Sequence, residues 1–272
     1  MNEKIYSETF QNLDSVAKEN KNKFLNNTPF PHLVFDNFFN ESFLNSIENT
    51  FPDLEQKLGT TEFDTKRDKK KFATDLNFVF PEKIDFLLNI LNSYKFLNFL
   101  QQLTGIKETL MPDPYFWGGG LHQMKKGGFL KVHSDFNYHP LSKLDRRINI
   151  LIYLNKEWKN EYGGHLELWD KNMENCGKKI SPTFNKMVVF NTNDFSYHGH
   201  PDPLNCPENM TRKSIALYYY SNGRPKEEIN EKLRFHSTIY RNRKNTEENI
   251  EEKMPEFKKL FGKFYIRKKI KV

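Results

Sequence analysis

The chain has 272 residues, 37% of them hydrophobic and 15% aromatic, with 25 Phe and 12 Tyr. This is enough apolar material for a buried core, so global disorder is excluded. No apolar run approaches the ~18 residues of a membrane span, and two cysteines, Cys176 and Cys206, are too few for a disulfide framework or a thiolate zinc site.

In chain order, residues 1–28 are polar and carry no apolar targeting run, so a cytoplasmic address is expected. Phe10, Leu13 and Val16 stand at helical spacing, and Phe30 to Phe35 reads as a short strand. Asn40 caps a helix whose apolar positions are Phe43, Leu44 and Ile47. Residues 60–71 read as a charged loop. Two helices are predicted within 82–104, with Gly105 placed to end the second.

From about residue 115 short aromatic and β-branched runs alternate with Gly, Pro and Asn: YFWGGGLHQM, GFLKVHSDF, RINILIYLN, GGHLELWD, KMVVFNT and RKSIALYYY. Six or more short strands with turn chemistry between them predict an all-β core with the helices outside it. Gly118-Gly119-Gly120 is read as turn or bulge glycine, since no Lys-Ser/Thr helix follows to make a phosphate loop. Trp117 is a candidate lining residue of a groove.

The net charge of +7 lies entirely in the tail: residues 221–272 carry 15 basic and 8 acidic residues, whereas residues 1–220 balance 27 against 27. The tail lacks a dense basic run, so it is read as a solvated, helix-prone extension. Neither nucleic acid nor membrane is expected as a partner. The expected division is 1–110 as a helical support region, 111–222 as the β core and 223–272 as the basic extension.

Six of the eight histidines fall between residues 122 and 200. His133 and Asp135 lie two apart in a strand, so both side chains point to one face. His198 or His200, after the next apolar strands, can complete a two-His, one-carboxylate face with open positions, the set typical of non-haem Fe(II) oxygenases. Arg212 and Ser214 share a face of the last strand, an Arg fork and a hydroxyl suited to a terminal carboxylate.

The ordered elements GGFLKVHSDFN, RRINILIYLNKEW, EYGGHLELWD, FNTNDFSYHGHPDPL and CPENMTRKSIALYYY resemble the Fe(II)/2-oxoglutarate-dependent dioxygenases, prolyl 4-hydroxylase-like branch. The resemblance implies an α+β fold: a double-stranded β-helix (jelly-roll) core with N-terminal helices packed on one side and a helical C-terminal tail. It implies Fe(II) on His133, Asp135 and His198, with His200 the alternative third ligand. The 2-oxoglutarate cosubstrate would be held by Arg212, Ser214 and Tyr153, O2 would be consumed, and ascorbate is a candidate accessory reductant. The family's usual Tyr nine or ten residues before the first ligand is replaced by Gln123 and Met124, leaving Tyr153 or Lys131 to hold the cosubstrate. The implied activity is hydroxylation of an unactivated C–H bond, prolyl in a peptide or protein. The alternatives are a small-molecule tailoring hydroxylase and a non-catalytic cupin-like binding module.

Overall fold

The helices fall where the apolar spacing puts them. In the computed structural model, which describes residues 4–229, 235–244, 246 and 248, α1 is Leu13–Asn26, α2 Glu41–Asn49, α3 Glu82–Leu91 and α4 Tyr94–Thr104. Phe10 belongs to a preceding 3-10 turn. The Asn40 side chain accepts the Phe43 amide and so satisfies an orphan donor at the start of α2. Gly105 ends α4 in the left-handed conformation, φ 67°.

The described residues also form eleven strands: β1 His32–Asp36, β2 Thr60–Phe63, β3 Asp68–Thr74, β4 Gly120–Ser134, β5 Asp145–Tyr153, β6 Leu166–Trp169, β7 Cys176–Ile180, β8 Lys186–Asn191, β9 His198–His200, β10 Arg212–Ser221 and β11 Ile239–Tyr240. They form one curled antiparallel sheet in the order β1-β8-β5-β10-β4-β9-β6-β7, with β3 and β11 also on β4 and β2 on β3. This is the double-stranded β-helix core with helices packed on one side. Ile148, Ile150, Ile152, Met187, Val189, Ile215 and Leu217 turn outward and join Phe24, Leu44, Leu88, Phe96 and Phe99 of the helices in one apolar cluster. The alternate residues of the same strands face the roll interior, where Tyr153, Val188 and Phe190 pack with Leu166 and Leu168.

Residues 60–71 are not a loop. They form most of the β2–β3 hairpin, whose return strand pairs with β4. The charges hid the strand because Lys69 and Lys70 face solvent while Phe72 and Ala73 are buried. Strand β7, CGKKI, has too little apolar character to be read, and it survives as the edge partner of β6. Most of the predicted helical tail lies outside the described residues. The described part holds a 3-10 turn, Lys226–Glu228, and β11, which pairs Tyr240 with His133.

Strand β4 bends at Gly127–Gly128. A Cβ on Gly128 would lie 2.4 Å from Met124 Cγ and 2.8 Å from two backbone oxygens, so only glycine allows the chain to pass. The first part of β4 pairs with β10, and the part after the bend pairs with β9. No helix among the described residues is long and apolar enough to cross a membrane.

Candidate functional site

The bend brings together what the sequence separates. His133 and Asp135 leave the end of β4, and His198 starts β9 directly opposite His133. His133, Asp135 and His198 each offer a ligand atom within 4.8 Å of the others. His133 Nε2 is 3.4 Å from Asp135 Oδ1, and His198 Nε2 is 3.3 Å from Asp135 Oδ2. The other nitrogen of each ring is fixed by a backbone carbonyl: His133 Nδ1 lies 2.8 Å from Lys131 O, and His198 Nδ1 2.9 Å from Ser196 O. A carbonyl only accepts, so each Nδ1 carries a proton and each Nε2 is the atom turned toward the carboxylate. This is the outer contact that orients metal-binding imidazoles. Two imidazoles and a carboxylate on one face, without a thiolate, fit a divalent iron with open positions.

Asp135 is held ionised. Burial alone would raise its pKa, but the Arg146 guanidinium keeps it well below the usual carboxylate value. Arg146 Nη2 donates to Oδ2 at 2.9 Å and Asn149 Nδ2 donates to the same oxygen at 2.7 Å. Arg146 also donates to Asn149 Oδ1, which takes a third bond from Thr192. Its guanidinium carbon lies 3.4 Å from the Tyr218 ring centroid and 4.4 Å from that of Phe136. Burial also lowers the pKa of His133 and favours its neutral form.

Neither Arg146 nor Asn149 was singled out in the sequence. Period-2 counting back from Tyr153 selects Asn149, but for the RR pair it selects Arg147. A bulge opposite Tyr219–Tyr220 shifts the register, so Tyr220 pairs with Arg146. Arg147 turns outward to Glu108 and Ser221.

Arg212, 6% exposed, sits on β10 in the same cavity. Its Nε donates to Gly164 O at 2.9 Å and its Nη2 to the Tyr153 hydroxyl at 3.3 Å, so part of the fork is left for a ligand. A Cβ on Gly164 would stand 3.0 Å from Arg212 Cδ. Ser214, two residues on, is buried on the same wall. His200 lines the cavity too, with a buried Nδ1 that has no hydrogen-bond partner. Burial and the Arg212 charge hold its pKa well below the ordinary value. Its imidazole is not part of the three-residue cluster.

Lys131 is engaged elsewhere, donating to Pro201 O and to Glu248. The Gln123 amide bonds Leu54 and Asp53. Met124, Trp117 and Tyr240 line the cavity, whose volume is about 300 Å³. His122 and Lys71, unremarked in the sequence, line it as well.

Residues 119–220 match the family model described as the 2OG-Fe(II) oxygenase superfamily. Over 79 residues the chain is 32% identical to the mouse (Mus musculus) prolyl 3-hydroxylase OGFOD1, a stretch covering 28% of this chain and 14% of that protein. The chain thus spans only a small part of that relative. Two solved structures share the fold. A Trichoplax adhaerens prolyl hydroxylase, in complex with a hypoxia inducible factor oxygen degradation domain peptide fragment, is 18% identical, with a TM-score of 0.57 over 78% of this chain and 92% of that one. A Pseudomonas putida prolyl-4-hydroxylase is 12% identical, with a TM-score of 0.53 over 76% of this chain and 100% of that one. The matched segment, residues 119–220, is thus similar to the 2OG-Fe(II) oxygenase superfamily, and the fold is the one these two solved structures share.

Proposed function

We propose that the chain is an Fe(II)- and 2-oxoglutarate-dependent dioxygenase that hydroxylates an unactivated C–H bond, with a prolyl residue of a peptide or protein as the favoured substrate. The observation that carries this reading is the meeting, in one buried cavity, of the His133–Asp135–His198 cluster with the Arg212–Tyr153 pair. His133, Asp135 and His198 would hold Fe(II). Together with 2-oxoglutarate and O2, the metal supplies C–H oxidation coupled to decarboxylation of the cosubstrate to succinate and CO2.

The protein's part is positioning. Arg212, oriented by Gly164 and Tyr153, takes the distal carboxylate of the cosubstrate, with Ser214 beside it. Arg146 and Asn149 keep Asp135 ionised and aimed at the metal. The aromatic walls at Trp117, Phe136 and Tyr218 keep bulk water from the reacting centre.

The prolyl assignment is supported by the prolyl hydroxylases among the relatives and by the peptide bound in one of them. A free small molecule is the alternative substrate. A cupin-like binding module is disfavoured because the cluster and the carboxylate anchor are both complete. A cytoplasmic setting accords with Cys176 and Cys206 both being free thiols.

The test is succinate formation from 2-oxoglutarate with Fe(II), ascorbate and oxygen, comparing the wild type with His133→Ala and Arg212→Ala. Turnover by the wild type alone is expected. A wild type that binds neither Mn(II) nor 2-oxoglutarate in calorimetry overturns the reading.

A further inference from the structure

The basic run Lys66-Arg67-Asp68-Lys69-Lys70-Lys71 forms the turn and return strand of the β2–β3 hairpin, and Phe63, Asp68 and Lys71 of this hairpin line the cavity. Lys71 pairs with Met124 on β4, and Met124 pairs with Arg212 on β10. Directly opposed residues share a face, so Lys71, Met124 and Arg212 stand in one rank along the wall. The two cations differ in depth. Arg212 is buried against Gly164 and Tyr153, whereas Lys71 is half-buried, with its Nζ 4.9 Å from the centroid of Phe63 on the hairpin's other strand. Lys71 therefore lies on the hairpin side of the cavity.

Among the described residues no carboxylate lies within salt-bridge distance of Lys71. Its hairpin neighbour Asp68 accepts from Thr65 and Tyr240 instead. With a divalent metal and a doubly charged cosubstrate in place, the charges of Asp68, Asp135, Arg146 and Arg212 bring the cavity to neutrality. Among the described lining residues Lys71 is then the one charge left over. An ammonium drawn partly out of water gains most from an anion brought to it. Outside the cavity Lys66, Lys69 and Lys70 are exposed on the same hairpin, which suits a ligand long enough to carry several anions.

Building on the oxygenase reading above, we propose that Lys71 and the basic hairpin select an acidic peptide, whose Asp or Glu side chain near the hydroxylated residue sits on the Lys71 ammonium. The hairpin lysines steer further acidic residues toward the mouth.

The experiment uses the full chain with Mn(II) and 2-oxoglutarate without oxygen, and fluorescent peptides carrying a central Pro flanked either by Glu or by Gln. The Glu peptide is expected to bind roughly tenfold more tightly, as for a charge-assisted contact of about 1.4 kcal/mol, with the advantage shrinking as salt rises. Lys71→Gln removes most of that advantage, Lys71→Arg restores it, and 2-oxoglutarate affinity measured by calorimetry stays within about twofold in both.

Equal binding of the two peptides, or binding of neither, overturns the proposal. So does a Lys71→Gln protein that loses 2-oxoglutarate affinity and keeps the peptide preference, which would assign the ammonium to the cosubstrate. A single-stranded oligonucleotide that outcompetes the Glu peptide would make the hairpin a nucleic-acid surface instead. A wild type that fails to bind Mn(II) and 2-oxoglutarate overturns the oxygenase reading itself, so the two failures are distinguishable.

Discussion

Replacing Arg146 with Leu keeps most of the buried volume and strips Asp135 of its ion-pair partner. The guanidinium is fully buried, 2.9 Å from Asp135 Oδ2, and the carboxylate is 8% exposed as a residue. Removing one member of such a pair costs about 3–5 kcal/mol, because the remaining charge stays buried without compensation. In an Asp135→Asn background the same replacement removes hydrogen bonds and packing but strands no charge, so its cost falls to about 1–2 kcal/mol. The double-mutant cycle should therefore return a coupling of about 2–3 kcal/mol. Urea unfolding of the four metal-free proteins measures it. A Mn(II) titration of Arg146→Leu should show affinity reduced about 10–100-fold, the usual loss when a ligand's supporting contact is removed. Additive costs within about 0.5 kcal/mol, together with unchanged Mn(II) affinity, would refute the role given to Arg146.

Three further outcomes are expected. His198→Ala should abolish Mn(II) binding measured by calorimetry, whereas His200→Ala should retain it; the reverse would exchange their roles. Gly164→Ala, whose Cβ would press on Arg212 and on Leu204 at 2.6 Å, and Tyr153→Phe should each raise the KM for 2-oxoglutarate roughly tenfold, with kcat little changed. Burial, with the Lys71 charge nearby, lowers the His122 pKa to about 3. The unfolded chain therefore takes up this proton near pH 6.5 while the folded chain does not. Stability contributed by neutral His122 is complete above pH 6.5 and falls by about 1.4 kcal/mol per pH unit below it. Urea midpoints between pH 7.5 and 5.0 should show a shallower decline in His122→Asn, and an identical slope would count against the burial argument.

Sequence patterning shows much of the frame and only part of the site. The two-residue spacing of His133 and Asp135 is visible because a strand has period 2, and Arg212 and Ser214 are visible for the same reason. The choice between His198 and His200 is not, since both lie on one face of β9. It is set by which of them stands across from His133. Arg146 is hidden by the bulge that reverses strand parity, and Lys71 by a lysine-rich run in which its inward neighbours look no different from its outward ones. His122 lies one residue from the position where the family resemblance directs attention. Only the register, His122 opposite Ser214, shows that it faces the cavity while the Gln123 amide is engaged with Leu54 and Asp53.

The bend in β4 has a consequence for which 2-oxo acid can be used. Met124, before the bend, fixes where Arg212 stands, and His133, after it, fixes where His198 stands. The span from carboxylate anchor to metal face is thus set by a single stretch of backbone, and glycine at 127 and 128 leaves that stretch one tight path. Such a span works as a gauge of carbon-chain length. A diacid one methylene shorter or longer than the cosubstrate that fits this span meets only one end well. Loops and hairpins around the mouth can then diverge to take different targets while the choice of oxidisable cosubstrate stays the same.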